Sequence, residues 1–133
     1  MKKRLLLLVA MLVPLIAMAD ESGKCGANLT WTYTEATQTL TIEGSGDMTS
    51  YSNSSSAPWY FYRDVIEKII IGPNVTAIGS YAFSGLSQVT YVYIHGTVTC
   101  IGYAAFWDCT SLTSVTIPSN VTHIDPAAFS SCI

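Results

Sequence analysis

The sequence has few charged residues, and very few basic ones. Asp, Glu, Lys and Arg make up 11% of its 133 residues, with six basic residues against nine acidic ones. So few cations cannot neutralise a run of phosphates, which excludes a nucleic-acid binder of the usual kind. Half of the residues are hydrophobic, which excludes an intrinsically disordered chain. The length leaves room for one domain.

The sequence also lacks an apolar run of the roughly 20 residues that a transmembrane helix needs. Its longest run, over positions 5–16, is shorter and lies between a basic N-terminus and the small residues Ala17 and Ala19. This layout predicts a signal peptide over 1–19, cleaved after Ala19, with an uncleaved anchor as the alternative. The product is then secreted, periplasmic or on the cell surface. Cys25 has no lipobox before it, so no lipid anchor is predicted. After cleavage three basic residues face nine acidic ones, a net charge of −6 that disfavours anionic membranes.

The remaining sequence contains an internal repeat with a constant period of 23. Three units, 66–88, 89–111 and 112–133, align without insertion. Alternating apolar residues near the start of each unit predict one short strand per unit. One unit cannot bury its apolar side alone, so the units are expected to stack around one continuous core. The eight apolar columns are Ile66/Val89/Leu112, Ile69/Val92/Val115, Ile71/Ile94/Ile117, Val75/Val98/Val121, Ile78/Ile101/Ile124, Ala82/Ala105/Ala128, Phe83/Phe106/Phe129 and Leu86/Cys109/Cys132.

These columns resemble the BspA-type leucine-rich repeat. The pattern L-x-x-V-x-I-P-x-x-V-x-x-I at 112–124, followed by Ala128-Phe129 and Cys132, carries the resemblance. The segment from Cys25 to Tyr60 is similar to the N-terminal region of many bacterial proteins of that group. The resemblance implies a β-rich fold, a right-handed leucine-rich-repeat solenoid of three 23-residue coils with an N-terminal β-hairpin cap. It also implies a secreted or surface-displayed interaction protein, since some members are adhesins for host extracellular proteins, and no catalytic residues.

Residues 20–65 are predicted to cap the first repeat. Alternation at 29–33 and 39–42 predicts a β-hairpin, followed by a Ser/Asn-rich loop over 49–56 and a short helix from 56 to 64 that offers Trp59 and Tyr62 to the core. The end of a repeat stack exposes apolar columns and open strand edges, so it needs such a segment. No capping segment follows the third unit. The chain is therefore expected to be a truncated gene product or a fragment of a longer array, with a self-associating end as the alternative. A purely structural role is the alternative function.

The four cysteines do not form a recognisable chemical site. Cys109 and Cys132 share an inward column, where the β-carbons of stacked strands stay about 4.8 Å apart, so we interpret both as small core residues, with a disulfide as the alternative. Cys25 and Cys100 have no evident mates. Cys100 and His123 share another column and are expected to be neighbours, but two ligands do not make a zinc site. The sequence predicts no metal, cofactor or catalytic residue, and no enzyme.

The outward positions of the predicted strands form a candidate binding face. Repeat proteins often bind through such a rigid sheet, and exposed aromatic residues are enriched at recognition sites. The alternative is that β-propensity alone placed these side chains on an open sheet. The expected partner is a protein or a glycan, host extracellular matrix among the candidates, and not nucleic acid. The face comprises Lys68, Ile70, Tyr91, Tyr93, His95, Ser114 and Thr116.

Overall fold

A computed structural model describes residues 20–132 of the chain. These residues contain nine β-strands and one 3-10 turn at Tyr60–Tyr62, and no α-helix is found among them. The predicted signal peptide lies outside the described residues. The strands are β1 (Glu21–Lys24), β2 (Leu29–Thr34), β3 (Thr39–Gly44), β4 (Gly46–Asp47), β5 (Lys68–Ile71), β6 (Val75–Ile78), β7 (Tyr91–Ile94), β8 (Cys100–Ile101) and β9 (His123–Ile124).

The larger sheet has five strands in the order β1-β2-β3-β5-β7. Strands β1, β2 and β3 pair antiparallel, and β3, β5 and β7 pair parallel. Ile69 lies opposite Val92 and Ile71 opposite Ile94, as the repeat columns predict. All four side chains are buried, because alternate residues of a strand point to the same face of the sheet.

The smaller sheet contains β4, β6, β8 and β9 in that order, all parallel. Its register also follows the repeat, since Ala77 lies opposite Cys100 and Cys100 opposite His123. The prediction that Cys100 and His123 are neighbours is therefore confirmed. Each of the first two units thus supplies one strand to each sheet.

A third backbone ladder joins the turns that follow the smaller sheet. The N–H of Tyr81 donates to the Tyr103 carbonyl at 2.9 Å, and the N–H of Phe83 donates to the Ala105 carbonyl at 2.7 Å. The same pattern recurs one unit later, where the Phe106 N–H reaches the Ala128 carbonyl at 2.7 Å. These bonds satisfy the backbone of segments that belong to neither sheet. Left-handed backbone recurs here at two columns of each unit, one of which holds Tyr81, Ala104 and Ala127, with φ of 58°, 53° and 64°.

A column of stacked aromatic rings fills the centre of the molecule. The Phe83, Phe106 and Phe129 rings follow one another at centroid distances of 5.2 and 5.1 Å. Trp59 extends this column by stacking on Phe83 at 5.5 Å. Its indole Nε1–H donates to the Ala82 carbonyl at 2.8 Å, which satisfies the polar atom of a fully buried side chain.

The segment before the first repeat continues all of these features at a different spacing. Leu40 lies opposite Ile69 in the larger sheet, and the two are further apart in the sequence than one repeat period. Strand β4 likewise pairs with β6 in the smaller sheet, and Trp59 takes the place of a Phe in the stack. The Ser/Asn-rich loop lengthens this segment, so an alignment at the constant period of the repeat does not detect it.

The third unit lacks its predicted strand. Residues 113–117 are irregular, and among the described residues no backbone hydrogen bond joins them to β7. Val115 and Ile117 are only half-buried and Ile124 is exposed, whereas the second-unit residues of these columns are buried. Within the described residues, the third unit packs against a neighbour on one side only. Strand β5, by contrast, packs against neighbours on both sides, and the third unit lacks this support.

The helix predicted over 56–64 is also not formed. The segment contains turns and the single 3-10 turn at Tyr60–Tyr62. Three backbone hydrogen bonds of the 3-10 type, such as the one from the Tyr62 N–H to the Trp59 carbonyl at 2.9 Å, hold it. Short pieces of this kind rarely exceed three or four residues. Trp59 is nonetheless buried, as predicted, and the half-buried Tyr62 stacks on Tyr33 at 4.7 Å.

Candidate binding surface

Strands β5 and β7 place the predicted face on the outer side of the larger sheet. Their register puts Lys68 beside Tyr91 and Ile70 beside Tyr93. The tyrosine side chains are 50% and 43% exposed, respectively. They alternate with buried residues on one strand and so project to the same side. The four residues form a contiguous surface with an aromatic half and a lysine at one corner.

The face extends onto β3, which the sequence did not reveal. Thr39 lies opposite Lys68 and Thr41 opposite Ile70, and both threonines are partly exposed. The strand order could not be read from the repeat columns, because β3 precedes the first unit. We define the sheet face as Thr39, Thr41, Lys68, Ile70, Tyr91 and Tyr93. The alternation Thr39-Leu40-Thr41-Ile42 was the only available signal.

The structure places two of the other three predicted residues, His95 and Thr116, at the border of the sheet face. The His95 ring lies edge-on to the Tyr93 ring at a centroid distance of 6.4 Å, and its Nδ1 accepts the Thr97 N–H at 3.2 Å. Thr116 joins Tyr91 and Tyr93 in lining a depression of about 180 Å³. Ser114 does not join them, since it lines a different depression beside Phe129.

The fold does not require either tyrosine of the sheet face. The repeat columns hold Lys68 and Ser114 at the place of Tyr91, and Ile70 and Thr116 at the place of Tyr93. The first unit thus forms a regular strand without an aromatic residue at these positions. The second unit is the one that presents an aromatic pair to solvent.

The comparisons with known proteins agree with the repeat. A model described as BspA type leucine rich repeat region (6 copies) matches residues 49–133. The chain belongs to the BspA-type leucine-rich repeat family. A leucine-rich repeat protein from Eubacterium ventriosum ATCC 27560, solved as a crystal structure, is similar at a TM-score of 0.80 and 30% identity. That match covers 86% of this chain and 30% of the other, so this chain spans less than a third of its length. No curated protein matches significantly.

Neither a metal-binding cluster nor a membrane-spanning helix is found in the described part of this BspA-type chain. Within residues 20–132, no group of three or more His, Cys, Asp and Glu side chains could hold a metal ion. Cys100 and His123 lie side by side, but a structural zinc site needs four ligands. No helix over the same residues has the length and hydrophobicity to cross a bilayer.

The buried Cys109 and the half-buried Cys132 are held as thiols. The Cys109 Sγ donates to the Phe83 carbonyl at 3.2 Å, and the Cys132 Sγ donates to the Phe106 carbonyl at the same distance. Both cysteines are free, as are Cys25 and Cys100. Burial raises the pKa of the Cys109 thiol from 9.0 to about 12, because a thiolate loses its hydration there.

This shift predicts that stability falls at alkaline pH. Above pH 9 the unfolded Cys109 thiol ionises while the folded one keeps its proton up to about pH 12. The folded state then binds more protons, so the free energy of unfolding decreases as pH rises, by up to about 1.4 kcal/mol per pH unit from this group. Urea unfolding of wild type and Cys109→Ala between pH 7.5 and 10.5 measures the slope. The variant should show the shallower slope. Identical slopes for wild type and Cys109→Ala would contradict the assignment.

Proposed function

We propose that this BspA-type protein is an exported, non-enzymatic module that binds an extracellular protein through the sheet face. The observation that carries the proposal is the exposed pair Tyr91 and Tyr93 on an otherwise regular repeat strand. The family assignment supports an interaction role. In this proposal residues 66–133 form a right-handed solenoid of three 23-residue coils, residues 20–65 cap it, and residues 1–19 are the leader cleaved after Ala19.

The sheet face has the composition of a protein-binding surface. Its centre is apolar and aromatic, with Ile70 beside Tyr93, and hydroxyl groups of Thr39 and Thr41 form one edge. Tyrosine is enriched at the core of protein interfaces, while the rim is polar. The buried side of the same strands consists of Ile69, Ile71, Val92 and Ile94. A partner therefore meets a surface held rigid by the core, which lowers the entropy lost on binding.

The sheet face is uncharged except for Lys68, although the described chain carries nine acidic and three basic residues. A protein ligand with an aliphatic centre and an acidic residue opposite Lys68 would complement it. Proteins of the host extracellular matrix or of neighbouring cells are the proposed ligands, which would make the protein an adhesin.

Binding is tested with a double variant taken from the repeat itself. Tyr91→Ser/Tyr93→Thr places the third-unit residues, Ser114 and Thr116, at the same columns. We expect this variant to fold and to lose at least about tenfold in affinity for the ligand, because aromatic anchors dominate interface energies. The measurement is retention on immobilised collagen, laminin and fibronectin, followed by titration against any that binds.

The matched control is Tyr103→Ser, which removes an equally exposed tyrosine outside the sheet face. It should bind as wild type does. Equal affinity of wild type and Tyr91→Ser/Tyr93→Thr for a retained ligand would overturn the proposed face.

A purely structural role within a longer array is the second candidate. It is supported by the third unit, whose strand is not formed and whose columns at Ile117 and Ile124 are incompletely buried. A further repeat stacked on that unit would cover both. The same retention assay separates the two candidates, because a structural segment would leave wild type unbound by every immobilised protein.

Export predicts a defined N-terminus. Expression of the full sequence in a bacterial host, followed by fractionation, should recover the protein outside the cytoplasm. N-terminal sequencing of that product should begin at Asp20, because the small residues before it fit the signal peptidase. Recovery of a cytoplasmic protein beginning at Met1 would contradict the proposal.

A further inference from the structure

A second exposed aromatic cluster lies on the turns, away from the sheet face. Tyr81, Tyr103 and Trp107 line a depression of about 180 Å³ together with Ala104, Ala127 and Ser130. The Tyr81 and Tyr103 rings meet edge to face, with centroids 5.6 Å apart and an interplanar angle of 67°. Tyr103 is 44% exposed and Trp107 is 41% exposed. We call these six residues the aromatic depression.

The repeat does not require these aromatic side chains either. The column of Trp107 contains Ser84 and Ser130, and the column of Tyr103 contains Ser80 and Pro126. The backbone ladder that shapes the turns uses N–H and carbonyl groups, as in the bond from the Gly85 N–H to the Trp107 carbonyl at 2.8 Å. Two large rings are therefore exposed where the neighbouring units carry small residues.

The electrostatics of the aromatic depression favour a cation. None of its six residues is charged, and none of the three cations in residues 20–132, Lys24, Arg63 and Lys68, lines it. Asp108, which is exposed, follows Trp107 and bonds through its N–H to the Ser130 carbonyl at 2.9 Å, so an acidic residue adjoins the depression. The described chain as a whole carries nine acidic residues against three basic ones.

We propose that the aromatic depression binds a quaternary ammonium group of the choline type. The faces of Trp and Tyr rings attract such a cation through their quadrupoles, and Trp is the strongest of the aromatic residues. A trimethylammonium group donates no hydrogen bond, so it fits a lining made of rings and alanine. A sugar would instead need directed polar partners for its hydroxyl groups, and the side chains of the lining offer four polar groups, the hydroxyls of Tyr81, Tyr103 and Ser130 and the indole N–H of Trp107.

The test uses choline and its neutral isostere. Choline chloride is titrated at low ionic strength against the ¹⁵N-labelled protein, and the indole N–H signal of Trp107 is followed by NMR. Trp31 and Trp59 are buried and serve as internal references. We expect a shift confined to Trp107 with a Kd of about 1–10 mM. 3,3-Dimethylbutan-1-ol has the same shape without the charge and should produce at least tenfold weaker binding.

Two variants and one sugar complete the design. Trp107→Ser and Tyr103→Ser introduce residue types of the neighbouring repeat turns, so both should fold. The loss of choline binding is read from the remaining backbone signals of residues 103–107. Tyr91→Ser/Tyr93→Thr should bind choline as wild type does, which separates this site from the sheet face. Equal binding of choline and the neutral alcohol, binding of maltose in place of choline, or no shift with choline would each overturn the proposal.

Discussion

Replacement of Trp59 by alanine is expected to lower the free energy of unfolding by about 4 kcal/mol, the range found for large aromatic residues removed from a core. The Trp59 side chain has no exposed surface. It stacks on Phe83 at 5.5 Å and meets Trp31 and Tyr51 edge-on, both at 5.9 Å. Alanine would leave a cavity where the pre-repeat segment joins the ring column. Urea unfolding followed by far-ultraviolet circular dichroism measures the loss without relying on tryptophan fluorescence.

Two further substitutions separate the contribution of the Trp59 hydrogen bond from that of ring burial in the column. Trp59→Phe keeps a ring on Phe83 but leaves the Ala82 carbonyl without its indole donor, so a loss of about 2 kcal/mol is expected. Phe129→Ala removes the ring at the other end of the column, and this ring is only half-buried. The variant should therefore lower the free energy of unfolding by about half as much as Trp59→Ala does. If Phe129→Ala and Trp59→Ala lowered the free energy of unfolding equally, the ring column would not depend mainly on its contact with the pre-repeat segment.

Sequence reasoning predicted the features that repeat at a constant spacing. The alignment of Ile69 with Val92 and of Cys100 with His123 appears as strand register. The apolar columns are buried in the first two units, because a residue that recurs every turn of the stack has the same neighbours each time. The BspA-type assignment depended on the same columns.

Features that break the spacing were not predictable in this way. Strand β3 pairs with β5 at a sequence separation longer than the repeat period, and β1 pairs at the opposite edge of β2 without any periodic signal. The strand expected at Val115–Ile117 fails because strand formation depends on neighbours as well as on local pattern. A column alignment treats the last unit as equal to the others, although its surroundings differ.

The candidate sites follow the same distinction. Tyr91 and Tyr93 were identifiable because a predicted strand alternates inward and outward residues. The aromatic depression was not, because Tyr103 and Trp107 lie on irregular turns where no periodicity assigns an outward side. Tyr81 lies close to Tyr103 because backbone hydrogen bonds join the turns of successive units.

Replacement of Gly79 by alanine should lower the free energy of unfolding by about 3 kcal/mol, although it adds a single methyl group. This value is the upper end of the usual cost of overpacking, which a β-carbon at this position would cause. That β-carbon would overlap the backbone carbonyl of Thr49, and the adjoining carbonyl carbon would be only 2.7 Å away. Backbone cannot rotate aside as a side chain can, so the pre-repeat segment would have to move. Thermal unfolding should show a decrease in Tm of about 12 °C for a domain of this size.

Gly96→Ala provides the matched control, because a β-carbon there meets no atom within 4 Å. Its effect should stay within about 0.5 kcal/mol. Gly102 occupies the Gly79 column in the second unit and would bring a β-carbon to 2.7 Å from the Ser80 nitrogen, so Gly102→Ala should also destabilise the protein. The third unit carries Asp125 in this column. Destabilisation by Gly96→Ala equal to that by Gly79→Ala would mean that the close approach to Thr49 is not what the glycine provides.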